Sequence, residues 1–238
     1  MTDSPTVVLV HGAFADASGF AAIIHELESD GLTVRAPANP LRSLSTDSEA
    51  LKAYVGAIEG PVVLVGHSYG GAVITQASAS LDNVVGLVYL AAFALEVGED
   101  CLSVQTPYAP TMLGTTARTT SYEAVGSPGG PDITIDHAGY RETFAADLPA
   151  DVAEVMAVTQ RAVAAAALGE PASAAGWKTR PSWYLVSADD NSVSPEVQHF
   201  FAERMGATTE TIPGSHVAFI ANPAAAAALI KRAVAAVS

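Results

Sequence analysis

Short runs of uniformly apolar residues recur along this 238-residue chain, separated by amphipathic or alanine-rich stretches. Val7–Val10, Val62–Val65 and Val84–Ala91 contain no alternating polar positions. A strand with one wet face alternates in polarity, whereas a strand covered by helices on both faces does not. Leu32–Ala36, Trp183–Ser187 and Thr208–Ile212 read as further strands. Helical patterns fall between them at Ala17–Asp30, Thr46–Glu59, Tyr69–Leu81, Pro195–Met205 and Pro223–Val237. Thr46 is the expected N-cap of the second helix, with Glu49 completing a capping box. Strand and helix in alternation predict an α/β domain on a parallel sheet.

The rhythm breaks once. Residues 96–181 are rich in Thr, Pro, Gly and Ala, with a loop at Ser127-Pro128-Gly129-Gly130-Pro131. Helices are expected near 137–146 and 150–168. The whole stretch reads as a mostly helical cap inserted after the strand that ends near Ala91, within a single domain spanning 1–238. An insertion at the carboxyl edge of a sheet is a natural lid.

The formal net charge of −14 disfavours nucleic acid and anionic membrane surfaces as partners. No apolar run reaches the roughly 20 residues that span a bilayer. The N-terminus lacks the basic start and apolar stretch of a signal peptide, and the single cysteine, Cys101, cannot form an internal disulfide. A cytoplasmic protein is the expectation. No metal-ligand cluster, P-loop or dinucleotide fingerprint is present, so no cofactor is implied.

Gly66-His67-Ser68-Tyr69-Gly70 fits the G-x-S-x-G nucleophile elbow. The pattern follows the strand at Val62–Val65 and precedes a helix, the context that the chemistry requires. A tight strand-to-helix turn lifts the serine hydroxyl out of the sheet, and glycines two residues away on either side avoid a clash. The helix N-terminus then favours developing negative charge. Ser68 is the expected nucleophile. The first strand leads into His11-Gly12-Ala13-Phe14, a turn that can put a backbone N–H opposite the serine. The expected oxyanion donors are the N–H groups of Ala13 and Tyr69, with Phe14 as the runner-up to Ala13. His11 is expected to hold its loop, and Asp16 to bond loop backbone or cap the following helix.

Six histidines are present. His25 and His199 lie in amphipathic helices, His67 is the variable position of the elbow, and His137 lies in the insertion. His216, in Pro213-Gly214-Ser215-His216-Val217, follows the last strand, where the order serine, acid, histidine demands the base. The acid belongs after Trp183–Ser187, where Asp189 and Asp190 both qualify. Asp190 is favoured by position, because the acid sits just before a hydrophobic residue and the proline of the next helix. Its role is to orient the imidazole and stabilise its protonated form.

Together these residues resemble the α/β-hydrolase superfamily, and within it the small-capped branch of plant methylesterases, hydroxynitrile lyases and bacterial esterases. The resemblance covers nearly the whole chain and implies six parallel strands. Hydroxynitrile lyases carry a lysine after the triad histidine and a threonine in the first loop. Val217 and Gly12 stand at those positions here and speak against cyanohydrin cleavage. Ser68 speaks against the aspartate-nucleophile dehalogenases and epoxide hydrolases. Between sheet and cap, Phe14, Phe93, Tyr108, Met112, Tyr122, Phe144 and Trp177 are candidate walls of a substrate pocket.

The expected activity is hydrolysis of a carboxylic ester of a small, neutral or apolar substrate through an acyl-enzyme. The same triad could also support lactone or thioester hydrolysis, or cofactor-free oxygen or peracid chemistry. A ligand receptor with weak turnover is the reading from another class.

Overall fold

The computed structural model describes residues 4–123 and 130–238. The N-terminal Met1–Asp3 and residues 127–129 of the expected Ser127–Pro131 loop lie outside them. The first half runs β1 (Thr6–Val10), α1 (Ala21–Ser29), β2 (Val34–Arg35), α2 (Leu44–Gly56), β3 (Val62–His67), α3 (Tyr69–Ser78) and β4 (Val84–Leu90). The segment that follows holds α4 (Leu113–Thr116), β5 (Ala117–Thr120), β6 (Asp132–Ile135), α5 (Tyr140–Phe144), α6 (Ala150–Thr159), β7 (Val163–Ala164) and α7 (Ala165–Gly169). The chain closes with β8 (Ser182–Ser187), α8 (Pro195–Met205), β9 (Thr208–Ile212), α9 (Ala218–Ala221) and α10 (Pro223–Val237).

Six strands form one parallel sheet in the order β2-β1-β3-β4-β8-β9. Val7, Val8 and Leu9 of β1 and Val62 to Val65 of β3 are completely buried. Their lack of alternation is thus explained by helices on both faces, and burial of each such side chain contributes about 1.5–3 kcal/mol. β9 lies at the sheet edge, and its Thr208 and Thr209 are exposed. Because all six strands are parallel, the loops after β1, β3, β8 and β9 emerge at one edge. No helix among the described residues is long and apolar enough to cross a membrane.

Several boundaries differ from the sequence expectation. α2 starts earlier and is capped by Ser43, whose extended backbone lets its hydroxyl accept from Thr46 N. Thr46 therefore lies inside the helix, and Glu49 pairs with Lys52 at 2.8 Å instead of closing a capping box. A short 3-10 turn, Ala17–Phe20, precedes α1 and is capped by Asp16.

The inserted segment holds a small sheet beside its short helices. β5, β6 and β7 form a three-stranded antiparallel sheet, and the expected 150–168 helix breaks after Thr159. Gln160 ends it. Its side chain accepts from Ile135 N and donates to Ile135 O, while its backbone turns extended. The alanine-rich stretch that follows pairs with β6 as β7, and Ala164 N donates to Leu41 O. Tertiary pairing here overrides helix propensity.

Candidate active site

Ser68 joins β3 to α3 with φ 53° and ψ −125°, a strained conformation for a residue with a side chain. The surrounding backbones press in closely. A Cβ on Gly66 would lie 2.7 Å from the Gly70 carbonyl, and one on Gly70 would strike Val10 O. The elbow glycines are therefore demanded by close approach. Two backbone amides, Gly71 N and Phe93 N, donate to Ser68 O and lock the turn.

The loop after β1 lies directly against this turn, since a Cβ on Gly12 would sit 2.6 Å from Ser68 Cβ. His11 holds the loop from behind. Its Nδ1 donates to Gly12 O at 2.9 Å and its Nε2 accepts from Asn39 N at 2.9 Å. Burial pushes the His11 pKa down, which keeps the ring neutral. Phe14 has φ 59°, and its carbonyl accepts from Tyr140 Oη at 3.0 Å. Ala13 and Tyr69 are both buried, and neither amide finds an acceptor among the described residues. Tyr69 N is the first amide of α3, where the helix itself offers no acceptor. Tyr69 is itself pinned, because its hydroxyl donates at 2.8 Å to the buried Asp47, which also accepts from Arg42 N. Burial raises the Asp47 pKa.

Asp190 and His216 meet at the ends of β8 and β9. His216 Nδ1 donates to Asp190 Oδ2 at 2.6 Å, and both side chains are almost fully buried. Asp190 also accepts from Ser192 N at 2.7 Å, Val193 N at 2.9 Å and Gln198 Nε2 at 2.8 Å. With Nδ1 bound to Asp190, Nε2 of His216 is left as an acceptor. Asp189 is exposed and serves a different purpose, accepting from Gly214 N at 2.9 Å.

His67 backs the histidine. Its Nε2 donates to His216 O at 3.0 Å, and the two rings lie 4.7 Å apart. Burial first, and the neighbouring His216 second, push the His67 pKa well down. Its place as the variable position of the elbow carried no sequence signal for this contact. His25 and His199 are exposed, as their amphipathic helices imply.

Ser68 and His216 border one narrow cavity of about 30 Å³. Among the described residues no hydrogen bond joins their side chains, and such contacts in free enzymes often tighten only when substrate is bound. Of the candidate walls, Phe14, Phe93 and Phe144 line this cavity, together with Cys101, Leu102, Leu113, Leu168 and Val193. The Cys101 thiol is buried, which pushes its pKa up and leaves it a poor nucleophile.

Tyr108, Met112, Tyr122 and Trp177 do not line it, which corrects the sequence expectation. Tyr108 packs on Phe200, with ring centroids 6.2 Å apart. Met112 is half-buried and caps the turn of α4 through its carbonyl, which accepts from Thr115 and Thr116. Tyr122 is exposed and accepts from Arg42 at 3.0 Å. Trp177 donates to Leu95 O at 2.9 Å, with Lys178 and Arg204 against its ring. In Tyr122 and Trp177 an aromatic ring with a polar handle satisfies both its apolar and polar parts.

Comparison with known proteins agrees with this architecture. Residues 7–229 match the model of the alpha/beta hydrolase family. An alpha/beta hydrolase of Aspergillus novofumigatus is 25% identical over 250 residues, covering 96% of each chain. Among solved structures, a pyrethroid hydrolase from Sphingobium faniae superposes with a TM-score of 0.77 at 21% identity, over 98% of both chains. A methylesterase protein from Arabidopsis gives a TM-score of 0.77 at 19% identity, over 97% of this chain and 99% of that one. At such identities the structural likeness speaks for the fold alone. The chain is a hydrolase of the alpha/beta hydrolase family, to which the family match assigns almost its entire length.

Proposed function

We propose that the protein is a serine esterase that cleaves a carboxylic ester of a small, neutral or apolar substrate. One observation carries this reading. Ser68, held at positive φ, shares a cavity with His216, whose other ring nitrogen is bound to the buried Asp190. In this mechanism Ser68 Oγ attacks the ester carbonyl carbon and His216 Nε2 takes the hydroxyl proton. The carbonyl oxygen becomes an oxyanion, received by the free amides of Ala13 and Tyr69. Each such donor is worth about 3 kcal/mol in the transition state. The C–O bond to the alcohol then breaks, and the alcohol leaves with the proton from His216. Water attacks the acyl-Ser68, gives a proton to His216, and the acid departs as Ser68 recovers it. Asp190 orients the ring and stabilises its protonated form.

Phe14, Phe93, Phe144 and the leucines around the cavity suit an apolar substrate. The esterase and hydrolase names of the matched proteins support the same reading. The test is intact mass after treatment with a fluorophosphonate. A single adduct that disappears in Ser68→Ala supports the proposal; an unlabelled wild type, or equal labelling of the variant, counts against it.

A further inference from the structure

A second and larger cavity of about 280 Å³ lies behind the loop that follows β1. Phe14 lines both cavities, whereas Ser68 lines only the smaller one. His67, which lines the larger, packs its ring against His216, which lines the smaller. The two spaces therefore stand back to back across the Phe14 and His67 side chains. The larger one runs between α1, α6 and the start of α9. Ala22 and Val152 are among its exposed lining residues and stand at the mouth.

The lining decides what would fit. Phe20, Tyr140, Met156, Phe219 and Ile220 supply apolar surface; the first two and Phe219 are buried in the domain core, and Met156 and Ile220 are half-buried against it. Most of the polar groups around it are already engaged. Tyr140 Oη donates to Phe14 O, Thr159 Oγ1 to Val155 O, and Asp16 accepts from Ser18 N. Gln160 is committed to Ile135 and Ala157, and both nitrogens of His11 are bonded. Among the described residues no lysine or arginine borders the space. An anion would lose its hydration here without recovering it. An apolar cavity of about 150 Å³ accommodates benzene, so this one has room for about a dozen non-hydrogen atoms.

We propose that this cavity is a second ligand site, distinct from the one at Ser68, which binds a neutral fused-ring or similarly compact apolar molecule. Concavity and size suit a small molecule, and the surrounding aromatic rings offer stacking and edge contacts to a planar one.

The probe is 2-naphthol, neutral at pH 7 and of matching size, titrated by fluorescence and by calorimetry. Ala22→Trp and Val152→Trp fill the mouth from exposed positions, and each alone can carry the test if the other fails to fold. Leu113→Trp fills the Ser68 cavity instead. The proposal expects saturable binding below about 1 mM, weakened about tenfold or more by Ala22→Trp or Val152→Trp and changed less than about twofold by Leu113→Trp. Absence of saturation, no effect of the mouth variants, or weakening by Leu113→Trp would overturn it. The readout is binding and not turnover, so its failure is separate from any failure of the esterase assignment.

Discussion

Asp147, in the inserted segment, grips Ser215, the residue before His216. Its Oδ1 accepts from the Ser215 hydroxyl at 2.5 Å and its Oδ2 from the Ser215 amide at 3.1 Å. The same stretch of the insertion holds the acid loop, since Thr143 O accepts from Ser192 Oγ and Glu142 O from Asn191 Nδ2. Ser215 Oγ also lies within reach of Phe144 O. The end of α5 thus ties the loops after β8 and β9 to the segment above them, and the insertion helps to set the distance between Asp190, His216 and Ser68.

Asp147→Ala is therefore expected to lower kcat by about ten- to a hundredfold with a smaller change in KM. Small displacements of a catalytic group cost on that order. Steady-state kinetics on a p-nitrophenyl ester checks it, and a change confined to KM would show that Asp147 does not position His216.

The two neighbouring aspartates should separate cleanly. Asp190→Asn removes the acceptor that His216 Nδ1 uses and is expected to lower kcat by on the order of 10⁴. Asp189→Asn disturbs only the exposed contact to Gly214 and should stay within a few-fold of wild type. Kinetics of the two variants side by side decides this, and comparable losses would contradict the geometry.

Gly12→Ala places a Cβ against Ser68 Cβ, and neither backbone can yield without moving the loop that presents Ala13 N. The expected result is a loss of about 10² in kcat, as for removal of one oxyanion donor. Overpacking should cost a further about 1–3 kcal/mol of stability, read by urea unfolding.

Stability should fall as the pH drops from about 7 towards 5. The His67 pKa is depressed in the folded protein, so below the unfolded value of about 6.5 the unfolded chain takes up a proton that the folded chain does not. The stability present above that pH is lost on acidification, and the depressed His11 acts with the same sign. The raised Asp47 acts in the opposite direction, at and above about pH 4. Thermal melts across this range check the slope. His67→Gln, which keeps a donor for His216 O, should flatten it; an unchanged slope in that variant would contradict the assignment.

The sheet and the order of the site residues were legible because both follow from local pattern. Val7–Val10 and Val62–Val65 announce buried strands, and Ser68, Asp190 and His216 follow the ends of β3, β8 and β9. The insertion was not legible. β5 and β6 are only four residues each, too short for the alternation of Ile133 and Ile135 to stand out from the loop composition around them. Gln160 breaks a helix that the alanines around it favour. Aromatic residues were reasonable guesses for pocket walls, yet Trp177 and Tyr108 are spent on Arg204 and Phe200, while Leu102, Leu113 and Leu168 line the cavity. His67 stands at the variable position of the elbow, and its role arises only from packing beneath His216.

Turnover of short p-nitrophenyl esters by wild type and Ser68→Ala shows whether Ser68 carries the reaction. Hydrolysis by the wild type and a loss of at least about 10³-fold in the variant are expected, with the fold retained. Equal rates in the two proteins would contradict it.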